Sequence, residues 1–136
     1  IILIEVPNFD SWQAKIFQKN WFHLDVPRHV FHYDKNSLDF ILNKAGFVIL
    51  KTSYLSFIYG FFGLLQSFLN IICKRKNFLF DIINRKIDMG GFVKNYLDTA
   101  FTLFFFIPIS LLILPFFLFE SIFKKGSIIT VWAKKV

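Results

Sequence analysis

The stretch Asp34-Lys-Asn-Ser37-Leu38-Asp-Phe-Ile41-Leu42-Asn-Lys-Ala45-Gly46-Phe47-Val-Ile-Leu50 reads as a helix that turns directly into a strand. Asp34 can accept the first free backbone N–H groups, and Leu38, Ile41, Leu42 and Ala45 form one inward stripe. Gly46 supplies the left-handed residue that stops a helix, and the β-rich run from Phe47 ends near Tyr54. Outward on one side, Ile1 to Val6 is a short apolar run closed by Pro7-Asn8, a buried strand leading into a loop. Outward on the other, Ser127 to Ala133 is a second clear strand, followed by Lys134-Lys135. Residues 9–33 have no clean period. The chain therefore reads strand, long loop, helix, strand, hydrophobic helices, strand: an α/β fold.

At 136 residues the chain holds one small domain or part of a larger one. It is 55% hydrophobic and 18% charged, with 21 phenylalanines, which moves it from ordinary soluble composition toward the membrane class. That composition excludes a disordered chain or a collagen repeat, and the single Cys73 excludes a disulfide scaffold. The chain opens on Ile1 without a methionine or a basic lead-in, so it is expected to be a fragment that lacks an N-terminal part.

Residues 1–68 hold 6 Lys/Arg and 5 Asp/Glu, whereas residues 69–136 hold 10 and 4. The excess sits beside apolar stretches, at Lys74-Arg75-Lys76 and Lys124-Lys125, which suits anionic headgroups at a cytoplasmic membrane face better than nucleic acid. Two stretches carry no charge. In the first, Thr52 to Cys73, the residues Phe61, Leu64, Leu65, Phe68, Leu69 and Ile72 form one helical stripe with Gln66, Ser67 and Asn70 off it. The second, Thr99 to Phe119, has 21 residues and at about 1.5 Å each would reach roughly 31 Å, enough for a hydrocarbon core.

The order of elements and three segments resemble the C-terminal half of a class I S-adenosylmethionine-dependent methyltransferase. Ile1-Ile-Leu-Ile-Glu-Val-Pro-Asn8 is similar to the fifth strand and its Val-Pro-Asn turn. Trp21-Phe-His-Leu-Asp-Val-Pro-Arg-His-Val-Phe-His-Tyr33 is similar to the loop that follows, running into Lys44-Ala-Gly-Phe47 before the sixth strand. Ile129-Thr-Val-Trp-Ala-Lys-Lys135 is similar to the final antiparallel strand, which the family inserts between strands five and six. The resemblance implies a Rossmann-like sheet in which residues 1–56 and 126–136 form a partial methyltransferase domain. Residues 57–125 are then a hydrophobic, membrane-associated helical insertion. The Gly-rich turn and ribose-binding carboxylate that hold S-adenosylmethionine belong to the family's first half. Gly60, Gly63, Gly90, Gly91 and Gly126 lie in no strand–turn–helix context, so this chain alone is not expected to bind the cofactor.

His23, Asp25, Arg28, His29 and His32 crowd one loop after the first strand. Loops at the carboxyl ends of strands in an open α/β sheet line the ligand crevice. His23, Arg28, His29 and His32 are therefore candidate substrate-loop residues, a histidine taking the acceptor's proton and the arginine holding an anionic group. Two other readings stand beside this one: that His29 and Arg28 pin the loop by bonds to backbone, and that the histidines with Asp25 bind metal, which no recognised spacing supports. Cys73 beside basic residues is either an acylation site or apolar filler. Trp12, Trp21 and Trp132 suit an interface or a core.

If the last strand pairs with the first, both lie on one side of any membrane, and a single crossing by residues 99–119 would separate them. That stretch is expected to enter and return, or to lie along the interface. Pro108 and Pro115 favour a helical hairpin or bent helix dipping into one leaflet, with Thr102 or Ser110 compensating the break. The functional expectation is methyl transfer to an O or N atom of a membrane-proximal acceptor, such as a lipid or lipid-linked substrate, with no nucleic acid and no metal. The alternative is a small non-enzymatic membrane-associated interaction protein.

Overall fold

A computed structural model describes residues 1–136. Strand β1 (Ile2–Pro7) leads to helix α1 (Trp12–Phe17) and two short 3-10 turns at Gln18–Asn20 and Phe22–Leu24. Helix α2 (Lys35–Lys44) runs into strand β2 (Phe47–Ser53). A π-type turn, Phe57–Phe61, opens α3 (Phe62–Ile72). The short α4 (Phe78–Ile83) and α5 (Met89–Lys94) precede the long α6 (Tyr96–Ile122), and strand β3 (Ile128–Lys135) follows.

The three strands form one sheet in the order β1-β3-β2, and β3 is antiparallel to both neighbours. The last strand lies between the two earlier ones, the position that the resemblance implied for it. The fold is a mixed α/β arrangement with a three-stranded antiparallel-paired sheet and one long apolar helix. Ile129, Val131 and Ala133 of β3 face α2, which buries Leu38 and Leu42 against them. Asp34 caps α2 by accepting from the Ser37 N–H at 2.7 Å, while Ser37 Oγ accepts from the Asp34 N–H at 2.9 Å. Gly46 follows at φ 77°, the expected left-handed stop. Ile41 and Ala45 stand exposed, so the inward stripe of α2 is narrower than its periodicity suggested: one face of a small sheet accommodates two leucines.

A second core lies between α3 and α6. Leu64, Leu65 and Leu69 of α3 meet Ile109, Ile113 and Phe117 of α6, with Phe17 and Trp21 closing it from α1 and the turn beyond. Helix α3 is not amphipathic in the way its stripe implied. Gln66, Ser67 and Asn70 are buried, because irregular backbone packs on their side and needs partners. Ser67 Oγ accepts from the Phe22 N–H at 2.9 Å, and Gln66 Oε1 from the Phe80 N–H at 2.9 Å. Asn70 Oδ1 accepts from the Asn77 N–H at 2.7 Å, while its Nδ2 donates to the Asn20 carbonyl at 3.1 Å.

The expected helical hairpin within residues 99–119 does not form. Helix α6 is continuous over 27 residues, through Pro108 and Pro115. Ser110 Oγ donates to the Phe106 carbonyl and Thr102 Oγ1 lies 3.7 Å from Cys73 Sγ, so neither reaches the carbonyls of Phe104 and Leu111 that the prolines leave without a donor. The reversal lies upstream instead, since α3 and α6 are antiparallel partners whose far ends meet where Asp98 accepts from the N–H groups of Lys74 (2.8 Å) and Arg75 (3.0 Å). Cys73 is buried at this junction, and burial pushes its thiol up from the ordinary value, which fits apolar filler rather than an acylation site.

Candidate functional site

β1 and β2 both run antiparallel to β3 and so run parallel to each other; the loops after β1 gather at their carboxyl end. Asn8 fastens that end, its N–H donating to the Ser127 carbonyl at 2.8 Å and its Nδ2 to the Gly126 carbonyl at 2.9 Å. The close approach requires glycine at 126, where a Cβ would stand 2.1 Å from the Tyr54 carbonyl oxygen. Beyond Asn8 the chain turns through Phe9 and Asp10 to Ser11, which caps α1 by accepting from the Ala14 N–H at 3.1 Å.

A cleft of about 670 Å³ opens at this end of the sheet, lined by Phe9, Asp10, Lys15, Gln18, His32 and Asp34 among others. Asp10 is bonded by Lys15 at 2.6 Å and by Lys125, and these two cations hold its carboxyl below the usual range. The Ser37 hydroxyl and N–H do the same for Asp34. Both acids therefore remain charged at neutral pH. Gln18 sits at φ 47°, a strained backbone at the cleft wall. His32 lies against Phe9 with ring centres 5.2 Å apart and the rings tilted by 45°, and its Nε2 donates to the Leu24 carbonyl at 3.1 Å. A carbonyl only accepts, so Nε2 carries the proton and Nδ1 is left as an acceptor.

The other loop residues go elsewhere. His23 is buried against α3, its Nε2 donating to the Tyr59 carbonyl at 3.0 Å, and burial lowers its pKa to about 4. The fit depends on Gly63, where a Cβ would lie 2.2 Å from His23 Nε2. His29 Nδ1 donates to the His23 carbonyl at 3.1 Å, and the exposed Arg28 pairs with Asp25 at 2.7 Å. The three histidines thus each hold a backbone carbonyl, and only His32 also lines the cleft. No group of three His, Cys, Asp or Glu side chains converges as metal ligands. Phe9, Asp10, Lys15 and Gln18 were not singled out from the sequence; Asp10-Ser11 directly after a strand-ending Pro-Asn turn is the signal that could have found them.

Compared with known protein families, curated proteins and solved structures, the chain matches none.

Proposed function

We propose that these residues form the acceptor-side half of a class I S-adenosylmethionine-dependent methyltransferase that acts on a membrane-proximal substrate. The observation that carries this reading is the sheet order, with the last strand antiparallel between two mutually parallel ones. A cleft at the carboxyl end of β1 supports it, since open α/β sheets bind ligands there.

The residues of this chain do not make a site for the cofactor. The turn from β1 to α1, Asn8-Phe-Asp-Ser11, contains no glycine, and Gly60 and Gly63 are packed against Phe117 and His23. The cofactor would be held by sequence preceding Ile1. What this chain supplies is the acceptor's side. His32 lines the cleft and would use Nδ1 to accept a proton or hydrogen bond from an acceptor hydroxyl or amine, and Lys15 lines the same cleft. His23, His29 and Arg28 hold the loop that positions His32.

The alternative is an interaction module without catalysis. It is favoured by the engagement of all three histidines with backbone carbonyls, which accounts for them without chemistry. Isothermal titration of S-adenosylhomocysteine distinguishes the two, using this chain and a longer one that carries the preceding reading frame, both in detergent. Micromolar binding by the longer chain alone is the expected result. Binding by neither overturns the methyltransferase reading and leaves the interaction module.

A further inference from the structure

The outward face of α6 is apolar from end to end. Phe101, Leu103, Phe104, Ile107, Leu111, Leu112, Leu114, Leu118 and Ile122 are exposed along it, and no charged side chain interrupts them. Monomeric proteins rarely show so large a contiguous apolar face to water. Length and composition alone would allow this helix to cross a bilayer, since 27 residues reach about 40 Å.

The surroundings of α6 oppose a crossing. Its partner α3 lies alongside it, and charged segments flank α3 over its whole length. Lys15 precedes Ile16 and Phe17, which pack beside Leu112 and Ile113 near the middle of α6. Further along, the Lys19 carbonyl accepts from Lys76 Nζ at 2.7 Å beside the far end of α3. On the other flank, Asp81 follows Phe80, whose N–H is bonded by Gln66 of α3, and Asp81 pairs with Arg75 and Lys86. Standing α6 upright would carry these charges into the hydrocarbon, where each costs several kcal/mol. The carbonyls of Phe104 and Leu111, freed by the prolines, receive no side-chain donor and belong to residues exposed on the outward face. They need water or headgroups within reach.

Cations gather at both ends. Lys74, Arg75 and Lys94 line a cleft of about 400 Å³ at the amino end, beside Tyr96 and Leu97, with the Asp98 carboxylate occupied by two backbone N–H groups. At the carboxyl end Lys124 is exposed just after Ile122.

We propose that α6 lies in the plane of one leaflet, its outward face sunk to the boundary of headgroups and acyl chains, with the two cationic ends bound to anionic phospholipid. The chain then touches a membrane without crossing it, and the sheet, α1 and α4 stay in water. This placement does not depend on the methyl-transfer reading.

The test places an environment-sensitive label at residue 101, 107, 114 or 119, using F101C, I107C, L114C and F119C in a C73A background. Each labelled chain is reconstituted into phosphatidylglycerol-containing vesicles whose lipids carry quenchers at headgroup or acyl positions. Similar shallow depths at all four positions are expected. Deep quenching at 107 and 114 with shallow quenching at 101 and 119 means a crossing and overturns the proposal. Absence of quenching at all four overturns it too, because the face then does not meet lipid. The surface variant K74Q/R75Q/K94Q leaves the apolar face intact. It is expected to partition roughly a hundredfold more weakly onto anionic vesicles, at about fivefold per cation. Equal partitioning of this variant and the original chain overturns the anionic-lipid part.

Discussion

Glu120 is the residue whose environment is most at odds with its chemistry. It is fully buried near the end of α6, where Gln13 Nε2 donates to its Oε1 at 2.5 Å while its Oε2, Gln13 Oε1 and Ser127 Oγ find no partner. No charged side chain faces it, and burial pushes its pKa up from 4.5 to about 8. The folded chain therefore binds a proton that the unfolded chain releases between these two values. The stabilising effect is complete below about pH 4.5 and is lost as pH rises through about 8. Urea unfolding across that window should give a stability that falls by up to about 1.4 kcal/mol per pH unit. Glu120→Gln should flatten the profile, and an unchanged slope in that variant would mean that Glu120 is not the group responsible. None of this could be read from the sequence, where Glu120 simply interrupts an apolar run; its side-chain partner, Gln13, is 107 residues away.

At the scale of elements, α2 and α3 mark what periodicity conveys and what it does not. Both helices begin, end and face the core close to where their apolar spacing put them. The function of the polar residues on α3 was not legible, because it depends on backbone from three separate segments. Asn70 is the clearest case, bonded to Asn20, Gln66 and Asn77. A pattern-based view would expect Asn70→Leu to improve an apolar helix. The structure predicts the opposite: the Asn77 N–H and the Asn20 carbonyl lose their partners, and the variant should unfold about 2–4 kcal/mol more easily. Denaturant titration of the two chains checks it. The prolines of α6 misled in the other direction. They signal a break on the assumption of an isolated helix, whereas Ile109, Ile113 and Phe117 lock one side of α6 onto α3 and hold it continuous.

Across the whole molecule, the three strands were legible because each announces itself by composition, and the last of them lies between the other two as expected. The site was legible only in part: the loop was found, but its histidines point three ways, and only His32 reaches the cleft. The separation into a sheet part and a helical part was also softened by contacts that no local pattern reveals, since α1 and the turn at Trp21 join the helical core from the sheet side. Burial predicts a ranking of protection. Amide exchange should be slowest in β3 and in α3, where nearly every residue is enclosed, and fastest between Asn84 and Lys94, where the chain is mostly exposed. Early exchange of β3 would contradict this packing.

The middle strand of the sheet is the one made last. β1 and β2 do not touch each other; each pairs only with β3, through contacts such as Ile4 with Val131 and Ile49 with Ala133. While the ribosome is still translating, β1 and β2 wait with open edges, and α6 has already emerged. A nascent chain therefore presents its greasiest helix to the cell before these three strands can pair. Whatever receives α6 during synthesis does so ahead of folding, and the closing of β3 between its neighbours then acts as a clasp that fixes the result.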